Sequence, residues 1–355
     1  MAVTCAAPAV ATPLCLPPVF DGGLRLHNSL SPRSTWLEPA LRQHALCWSA
    51  ARHPQTLRVV VLGSSAVFGV PLPATDTFTG DLTARLHANG IDATVFNLGW
   101  VNPYQLRDAL VLDAALAYRP DLIIYPVTLS EFIHVAPSSW PALASFFRSN
   151  RHALGRFADD SPPGLDGALD AYRQPLFNWD IARPMLEPLR AAGTFVRAAS
   201  AGLGAELPAF LGAEPAPITL RRLPASYDCV TVTADERESF AHWQDWNILA
   251  YLADVRDREG IPVVVVSWPT ALDPVGDCYN GRFTRQAVAD FNEWLRRETG
   301  ERQLPLVDLS AALALDDFFD TLHVTAEGHR KIAERLYDPL TAQLASARAH
   351  RDAVR

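Results

Sequence analysis

The sequence predicts an α/β protein, a three-layer α/β/α sandwich around a mostly parallel five-stranded sheet with a largely helical insertion. Three observations predict it. Short apolar runs alternate with amphipathic stretches of helical length, the pattern of a sheet covered on both faces. The run Ile261-Pro262-Val263-Val264-Val265-Val266 is apolar throughout, as a strand buried on both faces must be. Small and polar residues gather where such runs end, at the carboxyl edge where open α/β sheets hold their sites.

The elements follow in order. Leu57-Arg58-Val59-Val60-Val61-Leu62 carries the first strand, expected over 58–62, and 75–88 reads as a helix. A second strand is expected at 93–97, then a helix over 104–118 that Pro120 stops, then a third strand at 121–125. Much later, 240–258 is an amphipathic helix ending at Gly260, and the fourth strand follows at 261–266. A helix over 282–298, a short strand at 304–307 and a final helix over 325–345 complete the series. Between the third strand and the helix at 240 the alternation lapses, and prolines such as Pro162 and Pro163 punctuate the stretch. The expected organisation is an N-terminal extension over 1–54, a core formed by 55–132 and 239–346, a helical insertion or cap over 133–238, and a tail over 347–355.

Composition narrows the class. A chain of 355 residues with 49% apolar content can bury a large core. A net charge of −8 with scattered Lys and Arg leaves no basic stripe, so no nucleic-acid partner is expected. Cys5, Cys15, Cys47, Cys229 and Cys278 are odd in number, widely spaced and free of any C-x-x-C pattern. Their spacing proposes neither a disulfide framework nor a zinc site. Residues 1–20 are rich in Ala, Val and Leu, but they lack a positive n-region and prolines interrupt them, so they make no convincing signal peptide. No apolar run of about 20 residues occurs, so no membrane span is expected in this chain. The default is therefore a cytoplasmic protein, or an extracytoplasmic one if an export signal lies upstream. No feature implies a metal, a nucleotide or another cofactor, and oligomeric state is open.

The chemistry-bearing residues sit at the strand ends. Gly63-Ser64-Ser65 follows the first strand, and a small-residue turn there presents Ser65 at the sheet edge. A serine is a poor nucleophile without a base, and Asp320-Thr321-Leu322-His323 supplies one with its carboxylate three residues earlier. That spacing lets the acid fix the tautomer of the imidazole. Glu131 and His134 have the same spacing and form the rival pair. Trp100, Asn102, Tyr104 and Trp268 follow strand ends and are candidates for a pocket lining, with a place in the core as the alternative for the aromatic residues.

Together these residues resemble the SGNH hydrolase superfamily, the GDSL-type esterases. The family's first block, a strand followed by Gly-Asp-Ser, reads Gly63-Ser64-Ser65 here, with Ser65 in the nucleophile position. Asn97-Leu98-Gly99 resembles the second block, Thr128-Leu129-Ser130-Glu131-Phe132 stands at the third, and Asp320 to His329 matches the last, Asp-x-x-His followed by Gly-His. The resemblance runs over 58–132 and 240–345 in the family's block order and implies the flavodoxin-like SGNH fold. Ser64 replaces an aspartate that is not the catalytic carboxylate, whereas Ser130 replaces the asparagine whose amide helps hold the oxyanion. Serine keeps a donor with a shorter reach.

The resemblance implies Ser65, Asp320 and His323 as the catalytic residues, with the backbone N–H groups of Ser65 and Gly99 and the side chain of Ser130 around the oxyanion. His329 is expected to be a packing residue, and Glu131 structural or solvent-facing. The expected activity is serine-dependent hydrolysis of an acyl ester, most naturally an acyl group on carbohydrate, with a small-molecule or glycan substrate. An O-acyltransferase or transferase subunit for a glycan uses the same machinery, and a degenerate SGNH-like binding module is the non-enzymatic alternative.

Overall fold

The computed structural model describes residues 14–16, 24–26, 37–100, 105–132, 150, 247–272 and 285–354. Five strands form its sheet: β1 (Leu57–Val61), β2 (Ala93–Asn97), β3 (Leu122–Val127), β4 (Val263–Ser267) and β5 (Leu306–Asp308). They lie in the order β2-β1-β3-β4-β5, and every pairing is parallel, so the mostly parallel expectation resolves to a wholly parallel sheet. Every residue of β1, β3 and β4 is buried, as strands with helices on both faces require.

The helices are α1 (Leu37–Gln43), α2 (Ala45–Arg52), α3 (Ser65–Phe68), α4 (Phe78–Ala88), α5 (Gln105–Leu116), α6 (Ile248–Glu259), α7 (Arg285–Glu301) and α8 (Ala326–Val354). Helix α4 packs with α8 and on β2, α5 packs with α1 and α6, and α6 and α7 rest on β4. Most expected boundaries fall within a few residues of the observed ones. The largest correction is at the carboxyl end, where the expected tail over 347–355 continues as helix through Val354. Pro339 lies within α8, a few residues before the expected end of the helix at 345.

Local chemistry explains the helix ends. Asn247 caps α6 by accepting from Ala250 N at 3.2 Å, and Gly260 closes it at φ 68°, a left-handed conformation that glycine adopts without a Cβ penalty. His44 caps α2, its Nδ1 accepting from Leu46 N at 3.1 Å.

One expectation is overturned. Cys15 and Cys47 form a disulfide across a sequence separation of 32 residues. Spacing rules recognise clustered motifs, and this pair is brought together by tertiary structure, with Leu16 N donating to Arg42 O at 2.8 Å and Trp48 Nε1 to Leu16 O at 2.8 Å beside it. The extension also reaches the sheet: Leu26 N donates to Asn97 O at 3.2 Å, and Arg25 bridges to Asn97 at the end of β2. The insertion expected over 133–238 lies outside the described residues except for Asn150, whose Oδ1 accepts from Leu37 N at 2.9 Å. Among the described residues, no helix is long and apolar enough to cross a membrane.

Candidate active site

Strand order places the site. The chain leaves β1 towards β2 and then returns past it to β3, so the carboxyl ends of β1 and β3 flank a topological switch point. Ser65 follows β1 and is the first residue of α3. Ser130 follows β3 in a 3₁₀ turn, Leu129–Phe132.

The turn that presents Ser65 depends on its glycine. Gly63 has φ +132°, and a Cβ there would lie 2.7 Å from Val67 Cγ2, so the backbone can tighten only without a side chain. Gly63 O accepts from Trp100 N at 2.8 Å and from Arg107 Nη2 at 3.2 Å, which fixes the turn from behind. Arg107 is fully buried, pairs with Asp108 and lies over the Trp100 ring at 5.8 Å.

Ser65, His323 and Asp320 form one hydrogen-bonded line. Ser65 Oγ is 2.8 Å from His323 Nε2, and His323 Nδ1 is 2.8 Å from Asp320 Oδ2. Asp320 Oδ1 accepts from the backbone N–H groups of Leu322 at 2.9 Å and His323 at 2.8 Å. Burial works to raise the Asp320 carboxyl, but these bonds and the one from the His323 ring outweigh it and hold it below the usual carboxylate range. The aspartate is therefore charged and set to receive an imidazolium. Neighbouring contacts hold the loop: Trp268 Nε1 donates to Leu322 O at 3.0 Å, Ala271 N to Thr321 O at 2.9 Å, and Phe319 N to His323 O at 2.8 Å. This arrangement of nucleophile, base and orienting carboxylate is competent for acyl transfer.

Several candidates take other places. Gly99 N, expected at the oxyanion, donates to Asn97 Oδ1 at 2.9 Å. Asn97 sits two residues earlier and folds its side chain back onto that amide, while its Nδ2 donates to Val67 O at 2.8 Å. Gly99 instead permits close packing, for a Cβ there would stand 2.8 Å from Phe68 N. The Ser65 N–H meets no acceptor among the described residues.

Trp268 is a core residue stacked obliquely on Phe78 and His329, and Trp100 is buried against Arg107, so both take the core alternative among the described residues. Asn102, Tyr104 and His134 lie outside the described residues. His329 packs as expected. It is buried, stacked on Phe78, and its Nδ1 accepts from Phe78 N at 3.2 Å. Glu131 is buried, which excludes the solvent-facing alternative.

Arg25, Asn97 and Arg107 are supports that sequence reasoning missed. Arg25 Nη1 donates to Phe68 O at 3.1 Å and Leu72 O at 2.9 Å, closing the carboxyl end of α3. Only Asn97, by its place in the second block, carried a sequence signal.

The 2-1-3-4-5 order of the parallel sheet, with the Ser65–His323–Asp320 line at its switch point, decides the architecture. The chain has a flavodoxin-like α/β fold. Among solved structures, this chain is similar to a carbohydrate acetylesterase family member from Sinorhizobium meliloti, with 13% identity and a TM-score of 0.40 over 82% of this chain and 100% of that one. It is similar also to a GDSL-like lipase from Bacteroides thetaiotaomicron, with 10% identity and a TM-score of 0.38 over 80% and 88% of the two chains. An acetyl xylan esterase is similar at 10% identity and a TM-score of 0.39, over 80% and 99%. No family model matches the chain, and no curated protein does.

Proposed function

We propose that this protein is a serine-dependent carboxylic-ester hydrolase of the SGNH type. The observation that carries the reading is the unbroken line from Ser65 Oγ through His323 to Asp320, with both contacts at 2.8 Å. His323 Nε2 takes the Ser65 hydroxyl proton as Oγ attacks the ester carbonyl carbon, and Asp320 stabilises the imidazolium that results. The tetrahedral oxyanion is held by the Ser65 N–H together with the Ser130 hydroxyl. On collapse the carbon–oxygen bond to the alcohol breaks, His323 returns the proton to the departing oxygen, and the acyl group remains on Ser65. Water then attacks with His323 again as base, and the acid leaves as Ser65 recovers its proton.

For the alcohol we propose a carbohydrate hydroxyl, the class implied by the resemblance read in the sequence. Hydrolysis of acetylated oligosaccharide, compared with 4-nitrophenyl acetate, tests this part separately, and no acetate release from any acetylated glycan would remove it.

Labelling with a fluorophosphonate, read by intact mass, tests the nucleophile. The wild-type protein is expected to gain one adduct, Ser65→Ala none, and His323→Ala to react at a rate lower by about 10³-fold or more. A folded wild-type protein that stays unlabelled, or equal labelling of Ser65→Ala, would overturn the assignment.

A further inference from the structure

Behind Ser130 lies a chain of polar groups that the acyl-transfer steps leave idle. Glu131 Oε2 accepts from Thr128 N at 2.6 Å and also from the Thr128 hydroxyl. Thr128 Oγ1 meets Ser130 Oγ and accepts from Ser130 N at 3.2 Å. All three side chains are buried, and among the described residues Glu131 Oε1 has no hydrogen-bond partner.

Proton counting gives this chain a direction. Each hydroxyl has one proton to donate. When Glu131 is ionised, Oε2 can only accept, so Thr128 donates its proton there. Thr128 Oγ1 must then receive the Ser130 proton, which turns that hydroxyl onto Thr128 and away from the substrate. With a proton on Glu131 Oε2 the chain can run in reverse, from Glu131 to Thr128 to Ser130. Every contact is kept, and the Ser130 proton is released towards the oxyanion.

We propose that Glu131 gates the oxyanion site: Ser130 donates to the substrate oxyanion only while Glu131 is protonated. The proposal rests on the reading of Ser130 as an oxyanion donor. Glu131 and Thr128 are positioning residues that act through it.

The surroundings of Glu131 favour the proton. From α5, Asp108 faces it, paired with Arg107, and Gln105 Nε2 donates to the Glu131 carbonyl at 3.1 Å. From β3, Tyr125 donates to Asp108 Oδ2 at 3.4 Å, and the nucleophile turn contributes the Ser64 hydroxyl. Burial pushes the Glu131 carboxyl up to about 7, against the hydrogen bonds from Thr128 and Ser64, and Asp108 adds to the rise. The proton is therefore lost as pH rises through neutrality.

The test is kcat for 4-nitrophenyl acetate from about pH 6 to about pH 9, with fluorophosphonate labelling of the same samples. In the wild type kcat is expected to fall by about 10- to 100-fold across that range, approaching the effect of removing one oxyanion donor. In Glu131→Gln the amide oxygen must face Thr128 N, because an amide N–H there would oppose another donor. Thr128 then donates to that oxygen at every pH, so kcat is expected to be level and low. A level, high kcat in Glu131→Gln would mean that only the charge of Glu131 mattered and would overturn the gate. Thr128→Val severs the chain, and its profile is expected to lose the alkaline fall. Retention of the wild-type fall in Thr128→Val, or a wild-type kcat that plateaus at alkaline pH while Ser65 still labels, would also overturn it. Absence of Ser65 labelling would instead remove the hydrolase reading on which the gate depends.

Discussion

His329 and His44 show how much of this protein depends on imidazoles that stay uncharged at neutral pH. Burial holds His329 down to about 3, with the charges of His323 and Arg25 adding to the fall. Burial holds His44 down to about 4, against hydrogen bonds from its ring to the carbonyls of Asn97 and Leu24. Each uses Nδ1 as an acceptor for a backbone N–H, and protonation would remove that acceptor. In the unfolded chain both titrate near 6.5. Stability is therefore full above about pH 6.5 and is lost as pH falls towards the folded values, because the unfolded state takes up the protons first. Urea unfolding at about pH 7 and about pH 5 should show a lower midpoint at the acid pH. His329→Gln, which keeps an acceptor that does not titrate, should show a smaller drop between the two. At this scale the sequence separates His323 from His329, because the aspartate three residues before His323 has no counterpart before His329. It could not show that Gly99 N is committed to Asn97, since both residues belong to one recognisable block and only the backbone path decides which atoms meet.

At the scale of elements, the nucleophile helix α3 has four residues and too few internal bonds to hold itself. Its position comes from outside. Asn97 on β2 bonds Val67 O, Arg25 from the extension bonds Phe68 O, and Gly99 packs against Phe68 N. Asn97→Ala would leave the buried Gly99 N–H and Val67 O without these partners, with an expected cost of about 1–3 kcal/mol in chemical denaturation. The same variant should label more slowly with fluorophosphonate, since Ser65 begins the helix that loses its anchor. Strands and long helices were readable because burial on both faces leaves continuous apolar runs and burial on one leaves a helical period. The anchors of α3 were not, because Arg25 and Phe68 are 43 residues apart and nothing local marks an arginine that will be buried against two carbonyls.

For the molecule as a whole, the Cys15–Cys47 disulfide ties the beginning of the chain to helix α2, which packs on β1. The chain-entropy argument gives such a loop about 2–4 kcal/mol. A non-reducing peptide map should recover the Cys15–Cys47 pair, and reduction under native conditions should lower Tm; an unchanged Tm after verified reduction would contradict a stabilising role. Fold class was accessible from apolar runs and block order. The disulfide was not, because cysteine counting finds clusters and these two cysteines are neighbours only in space.

The serine and the histidine of the triad lie 258 positions apart, with β2, β3, β4 and β5 between them. On a ribosome this makes the nucleophile an early product and its base a late one. A nascent chain that has folded its first strands holds a hydroxyl with ordinary reactivity, and so does any chain released before residue 323. In the proposed reading, Ser65 gains its base only when the segment carrying Asp320 and His323 docks beside the end of β1.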